Sequence, residues 1–206
     1  MSEVSTLLHN IFAAVINLPP WEVVASLLGI TYVILATRES VWCWPFAFIS
    51  TLIYTLLFWN DQLPMQALLN FYYMGMAVYG FLLWRRHSDA GSDLHISRWS
   101  FRNHFLFITT GGILSFAIGS YMESIEASRA PYLDATVMVF AVLNTWLMAQ
   151  KVLENWLYWM IIDSAAIFLF IQTGYYATIA MMIIYIILAV IGYTGWKKNY
   201  RDLNLI

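Results

Sequence analysis

Charge is what this 206-residue chain has least of. Asp, Glu, Lys and Arg make up 11% of it while hydrophobic residues reach 61%, against about a quarter charged and near half apolar in an ordinary soluble domain. That balance excludes a water-soluble globular protein and places the chain in a lipid bilayer. Ten basic residues against twelve acidic ones, a net charge of −2 and no basic cluster exclude a nucleic-acid-binding surface. The single cysteine, Cys43, excludes an internal disulfide and a thiolate metal cluster. The first twenty residues hold no Lys or Arg, so a cleaved signal peptide is not expected. HExxH, GxSxG and Walker sequences are absent, and the apolar runs leave no room for a soluble catalytic domain. Neither an enzyme nor a bound cofactor or metal is expected.

What is there is a series of apolar runs long enough to span a membrane as helices, each needing about 20 residues. Seven are read, at roughly 21–37, 43–59, 64–84, 101–121, 132–150, 155–172 and 175–196. The five prolines, Pro19, Pro20, Pro45, Pro64 and Pro131, fall at or near the starts of runs, where a missing N–H costs nothing. Residues 3–18 carry apolar positions at helical spacing and read as a short amphipathic segment on the membrane surface.

Lys and Arg are retained on the cytoplasmic side. With the N-terminus outside, every basic residue except Arg129 falls inside, which gives an N-out, C-in topology. Asp61, Glu123 and Asp134 then lie outside or at the outer edge, Glu39, Asp93 and Glu154 inside, and Asp163 alone falls deep within a span. Trp21, Trp42, Trp44, Trp59, Trp84, Trp156 and Trp196 sit near span ends and read as an interfacial belt. His9, His87, His95 and His104 read as solvated surface histidines.

A shift of 112 residues lays the first three spans on the last three. Tyr73, Ala77, Val78, Gly80 and Trp84 meet Tyr185, Ala189, Val190, Gly192 and Trp196, followed by Arg85-Arg86 over Lys197-Lys198; Leu35, Trp44, Leu57 and Phe58 meet Leu147, Trp156, Leu169 and Phe170. The fourth span restores the orientation of the second copy. The expected fold is therefore an all-α integral membrane protein of seven transmembrane helices, a 3+1+3 parallel pseudo-repeat laid out like sugar transporters of the SWEET type. Its parts are 1–20, an amphipathic segment; 21–86, the first three-helix repeat; 87–131, a loop and linker helix; 132–198, the second repeat; and 199–206, a cytoplasmic tail. Such symmetry serves a two-sided pathway, with substrate bound near midplane between the repeats.

A carboxylate in lipid is costly and faces a cavity, a partner or a pathway. Asp163 lies roughly 12 Å into its span at 1.5 Å per residue. Trp156, Trp159 and Asp163 share one helical face within about 60°, offering indoles for stacking and an anion for a cationic aromatic ring. Gln66, Asn70 and Tyr73 form a second polar stripe suited to sugar hydroxyls, and Asn144 adds a donor and acceptor at a depth comparable with Asp163. Singly, each could be interhelical glue. Tyr32 and Thr51 are the repeat counterparts of Asn144 and Asp163, so the halves differ there, as an asymmetric ligand requires. No Lys or Arg lies mid-span, which disfavours a phosphorylated substrate. The seventh span lacks the lysine of a retinal protein, and without an acidic pair or proton relay, passive transport is expected. A seven-helix receptor or sensor is the alternative, against which stand the short inner loops.

On Glu154-Asn155-Trp156 with Trp159 and Asp163, the Gln66–Tyr73 stripe and the GxxxW-basic repeat ends, the chain resembles the PnuC-type vitamin transporters, specifically the nicotinamide riboside branch, from about residue 20 onward. The resemblance implies facilitated diffusion of nicotinamide riboside across the bacterial inner membrane, trapping by a separate cytoplasmic kinase that feeds NAD biosynthesis, and a homotrimer with one pathway per protomer. Related branches carry thiamine, riboflavin or deoxynucleosides, and a pyridinium and a thiazolium would suit Asp163 alike.

Overall fold

Proline opens three of the long helices, at Pro20, Pro64 and Pro131, where its fixed φ fits the first turn and its absent N–H has no partner to lose. The computed structural model describes residues 3–60, 64–89, 94–174 and 176–203; Asp61 and Asp93 of the charge map and the end of the tail lie outside them. The helices are α1 (Glu3–Ile16), α2 (Pro20–Thr37), α3 (Cys43–Asn60), α4 (Pro64–Asp89), α5 (Phe101–Ser124), α6 (Pro131–Ala149), α7 (Asn155–Thr173) and α8 (Tyr176–Leu203). Seven of them, α2 to α8, are long and apolar enough to cross a membrane. The extended pairing among the described residues is one isolated bridge, Ser97 to Val152.

α2, α3 and α4 pack on one another in chain order, as do α6, α7 and α8, and the two sets meet through α2 against α8 and α4 against α6. Shifting by 112 residues carries each of these contacts onto another. The shared residues explain why. Trp44 of α3 lies so close to Gly80 of α4 that a Cβ there would stand 2.4 Å from its ring, and Trp156 of α7 lies on Gly192 of α8 with the same 2.6 Å conflict. Only glycine admits an indole at that distance. Trp44 meets Trp84 edge-on at 5.3 Å, Trp156 meets Trp196 edge-on at 5.3 Å, and Trp84 and Trp196 face one another at 6.3 Å.

These four indoles correct the belt reading. Trp21, Trp42 and Trp59 are exposed as an interfacial belt requires, whereas Trp44, Trp84, Trp156 and Trp196 are buried at the centre of the core. Position near a span end fits both roles; glycine four residues before Trp84 and Trp196 is what selects packing.

α8 runs past the expected span through Lys197, Lys198 and Arg201 to Leu203, because good helix formers of positive charge suit a helix C-terminus. The amphipathic segment is helical over Glu3–Ile16 and rests on α8. α5 packs on α6 and also touches α7: Phe107 meets Phe140 at 5.6 Å and Tyr158 at 4.6 Å. His104, expected at the surface, is half-buried and shares a 2.7 Å hydrogen bond with the Tyr158 hydroxyl. Before α5, the Ser97 N–H donates to Lys151 O (3.0 Å) and the Leu153 N–H to Ser97 O (2.8 Å), while Arg98 pairs with Glu154 at 2.9 Å. Glu154 holds the Arg98 guanidinium above its already high ordinary value by hydrogen bond and charge. The loop read from sequence between spans three and four thus includes an ordered strap on the α6–α7 turn.

Candidate functional site

The site is built around Asp163 on α7. Its side chain is 5% exposed, and no hydrogen bond or ion pair joins its carboxylate to a described residue. A buried anion left so is costly by several kcal/mol. Tyr73 of α4 and Tyr185 of α8 stand within electrostatic reach of it, and Tyr32 of α2 within reach of both tyrosines. Tyr73 and Tyr185 are repeat counterparts, so the two halves present matching phenols to one unmatched carboxylate. The Tyr185 hydroxyl fills the space over Gly29, where a Cβ would stand 2.7 Å from it. Trp159, one turn before Asp163, is half-buried and packs against the tryptophan core beside Tyr32.

Of the residues expected from sequence, Tyr73, Trp159 and Asp163 come together here. Asn70 is one turn from Tyr73, half-buried, with its amide donating to Gln66 O at 2.9 Å. Gln66 is exposed, about 10 Å from Tyr73 along the axis of α4. Trp156 and Asn144 sit toward the opposite end. The Trp156 indole is 1% exposed and occupied with Gly192 and Trp196. Asn144 is fully buried and donates to Asn155 O at 3.0 Å, at the first turn of α7, about 12 Å from the level of Asp163. Sequence placed it deeper because span ends alone do not show that its amide reaches down to that turn. Its Oδ1, the Asn155 Oδ1 and the Trp156 Nε1 are buried without a hydrogen-bond partner.

Tyr32 and Tyr185 were missed, although the repeat signalled Tyr185 through its counterpart Tyr73. Among the described residues no group of three His, Cys, Asp or Glu side chains is placed to hold a metal ion. A groove of about 660 Å³ is lined by Trp99, Phe107, Val142 and Trp146 among others on α4, α5 and α6 and the strap; it contains none of the Asp163 group.

Six apolar helices in two matched sets, with a seventh packed beside them, around a buried carboxylate are the makings of a membrane transporter. Comparison with known proteins agrees. A family model described as nicotinamide mononucleotide transporter matches residues 19–198. The nicotinamide riboside transporter PnuC of Escherichia coli is 25% identical over 88% of this chain and 86% of its own length. The riboflavin/roseoflavin transporter RibM of Streptomyces davaonensis is 26% identical over the same shares, 88% and 86%. The crystal structure of the vitamin B3 transporter PnuC superposes with a TM-score of 0.73 at 21% identity, covering 98% of this chain and 94% of that one, and shows the fold. The chain belongs to the PnuC family of nicotinamide mononucleotide transporters. It is a multi-pass protein of the bacterial inner membrane.

Proposed function

We propose that this transporter carries nicotinamide riboside by facilitated diffusion. The observation that carries the reading is the buried Asp163 carboxylate, held without a protein counter-charge, one turn from the Trp159 indole and within reach of Tyr73 and Tyr185. A pyridinium answers all of these at once: charge to the carboxylate, ring face to the indole. Tyr32 and Tyr185 join the residues named from sequence. Asn70 and Gln66 line the approach from the end at which α4 begins, and Asn144 and Trp156 the stretch beyond Asp163, where their unpartnered polar atoms suit the ligand's amide or hydroxyls in passage. The 112-residue correspondence of contacts supports a 3+1+3 arrangement of parallel repeats, with 21–86 and 132–198 as the repeated units. The basic residues gathered at Arg38, Arg85, Arg86, Lys197 and Lys198 support N-out, C-in. Trapping by a cytoplasmic kinase and assembly as a homotrimer complete the reading by family resemblance.

A flavin is the second reading, favoured by an identity to the riboflavin/roseoflavin transporter as high as that to the riboside transporter. A flavin is neutral, so it brings Asp163 hydrogen-bond donors but no counter-charge. Counterflow into liposomes holding the purified protein separates the two. Labelled nicotinamide riboside should enter against unlabelled riboside without any proton or sodium gradient, and riboflavin should not. Entry that requires an ion gradient overturns the uniport; riboflavin exchange without riboside exchange overturns the substrate.

A further inference from the structure

Helices α2 and α6 end in the same way. The backbone turns left-handed at Glu39 (φ 56°) and at Lys151 (φ 50°). The Glu39 and Ser40 N–H groups donate to Ala36 O (3.0 Å) and Leu35 O (3.1 Å), and those of Lys151 and Val152 to Met148 O (3.1 Å) and Leu147 O (3.0 Å). Glycine is the usual occupant of the left-handed position in such helix ends. Here it is a glutamate in one half and a lysine in the other, 112 residues apart, and the Lys151 Nζ donates to Glu39 Oε2 at 2.9 Å. A residue bonded to its own counterpart lies on the axis that relates the halves. Around the pair, Asn199 Nδ2 donates to Glu39 Oε1 at 2.8 Å, and the Lys151 Nζ lies 4.7 Å from the Trp84 ring. The Trp84 indole of α4 donates to Ala149 O of α6 at 2.8 Å, and the Trp196 indole of α8 to Ala36 O of α2 at 3.1 Å. Every one of these contacts joins α2–α4 to α6–α8.

We infer that this clamp, the Glu39–Lys151 pair with its two crossed indole bonds, is the gate that closes the basic end of the path through Asp163; the inference rests on the transport reading. The route from Asp163 to that end follows α7 back to Asn155, about 12 Å, and there runs between the two sets of helices that the clamp ties together. Two charged side chains kept at backbone positions that favour glycine signal that the side chains, not the turns, are needed. An ion pair also suits a gate better than an apolar seal does. Glu39 already reaches water at 21% exposure, so both ions regain hydration when the halves part.

Cys43 reports on the gate. It is fully buried in the same core, within electrostatic reach of Lys151, and is the chain's single cysteine, so a membrane-impermeant maleimide reads it without background. In proteoliposomes with the basic end accessible, Glu39→Gln or Lys151→Gln should raise the rate of Cys43 labelling roughly tenfold, as a shift of a two-state equilibrium toward open requires. The exchange Glu39→Lys with Lys151→Glu should return it to within about twofold of wild type. Trp84→Phe, which loses the bond to Ala149 but keeps a ring, should raise it without any change of charge and serves where a charge variant fails to fold. Labelling that stays at the wild-type rate in folded single variants, or an exchange variant that labels as fast as the singles, overturns the gate. Since labelling needs no substrate, riboside uptake with flat labelling defeats the gate alone, and altered labelling without riboside uptake defeats the substrate reading alone.

Discussion

Adding a phosphate to the ligand is the most searching perturbation of this site, and the family's own description, which names the mononucleotide while relatives are named for the riboside, makes it worth working out. The riboside brings one positive ring charge and neutral hydroxyls. Its 5′-phosphate would add about −1.5 to −2 charges near pH 7. If the bound pyridinium holds Asp163 ionised, a phosphate roughly 8 Å from the carboxylate would meet, at an effective dielectric of about 20, a repulsion of about 3–4 kcal/mol. Loss of phosphate hydration adds to it. Relief would need a basic group, and Lys151, buried at the basic end, is committed to Glu39. The expected preference for riboside over mononucleotide is therefore on the order of a hundredfold to a thousandfold. Calorimetric titration of detergent-purified protein with both ligands in one series measures it. Asp163→Asn should weaken the riboside and at the same time shrink the ratio, because attraction and repulsion share one carboxylate. Mononucleotide affinity within tenfold of riboside in the wild type, or a ratio unchanged in Asp163→Asn, refutes the reasoning.

Trp159→Ala should weaken riboside binding by roughly 5–150-fold, the loss of one stacking and cation–π contact, and a wild-type Kd would remove the indole from the site. Gly80→Ala and Gly192→Ala drive a Cβ to 2.4 and 2.6 Å from an indole and should each cost about 1–3 kcal/mol, read as a lower Tm in detergent. Gly75→Ala, with nothing within 4 Å, is the control that should leave Tm unmoved. Glu154→Gln should release the strap, seen as faster amide exchange at Ser97 and Leu153 with α2–α4 unaffected. In the wild type the raised Arg98 value keeps the guanidinium charged up to the ordinary arginine range and beyond, so strap protection should not fall as pH rises from about 6 to 9.

Much of this was legible because a bilayer imposes coarse rules. Runs near 20 apolar residues marked all seven crossing helices, four of them with proline at or near the start, and the lone acid deep within a span marked Asp163. Trp159 followed from helical spacing relative to it, and Tyr73 from the polar stripe it shares with Gln66 and Asn70. What stayed hidden turned on contacts between distant segments. Trp44, Trp84, Trp156 and Trp196 obey the belt rule as well as any interfacial residue, and only their glycine partners show that they pack inward. Asn144 lies at a depth set by which carbonyl its amide finds, and hydropathy says nothing about that. The strap before α5 consists of two backbone hydrogen bonds and one ion pair within a polar stretch, which in sequence reads as a loop.

The attachment of α5 has a mechanical consequence. Its neighbours are α6 and α7, and the strap that precedes it is bonded to the turn between them. The contacts thus divide the seven crossing helices into unequal bodies, three against four. Under the proposed transport reading, a motion that opens one end and shuts the other would slide α2–α4 past a heavier partner that carries α5 as a passenger. Severing the chain between α4 and α5 would leave α2–α4 and α5–α8 each with their internal contacts, and α1, which rests on α8, would tie the two pieces together, so a transporter assembled from two coexpressed pieces is within reach of this architecture.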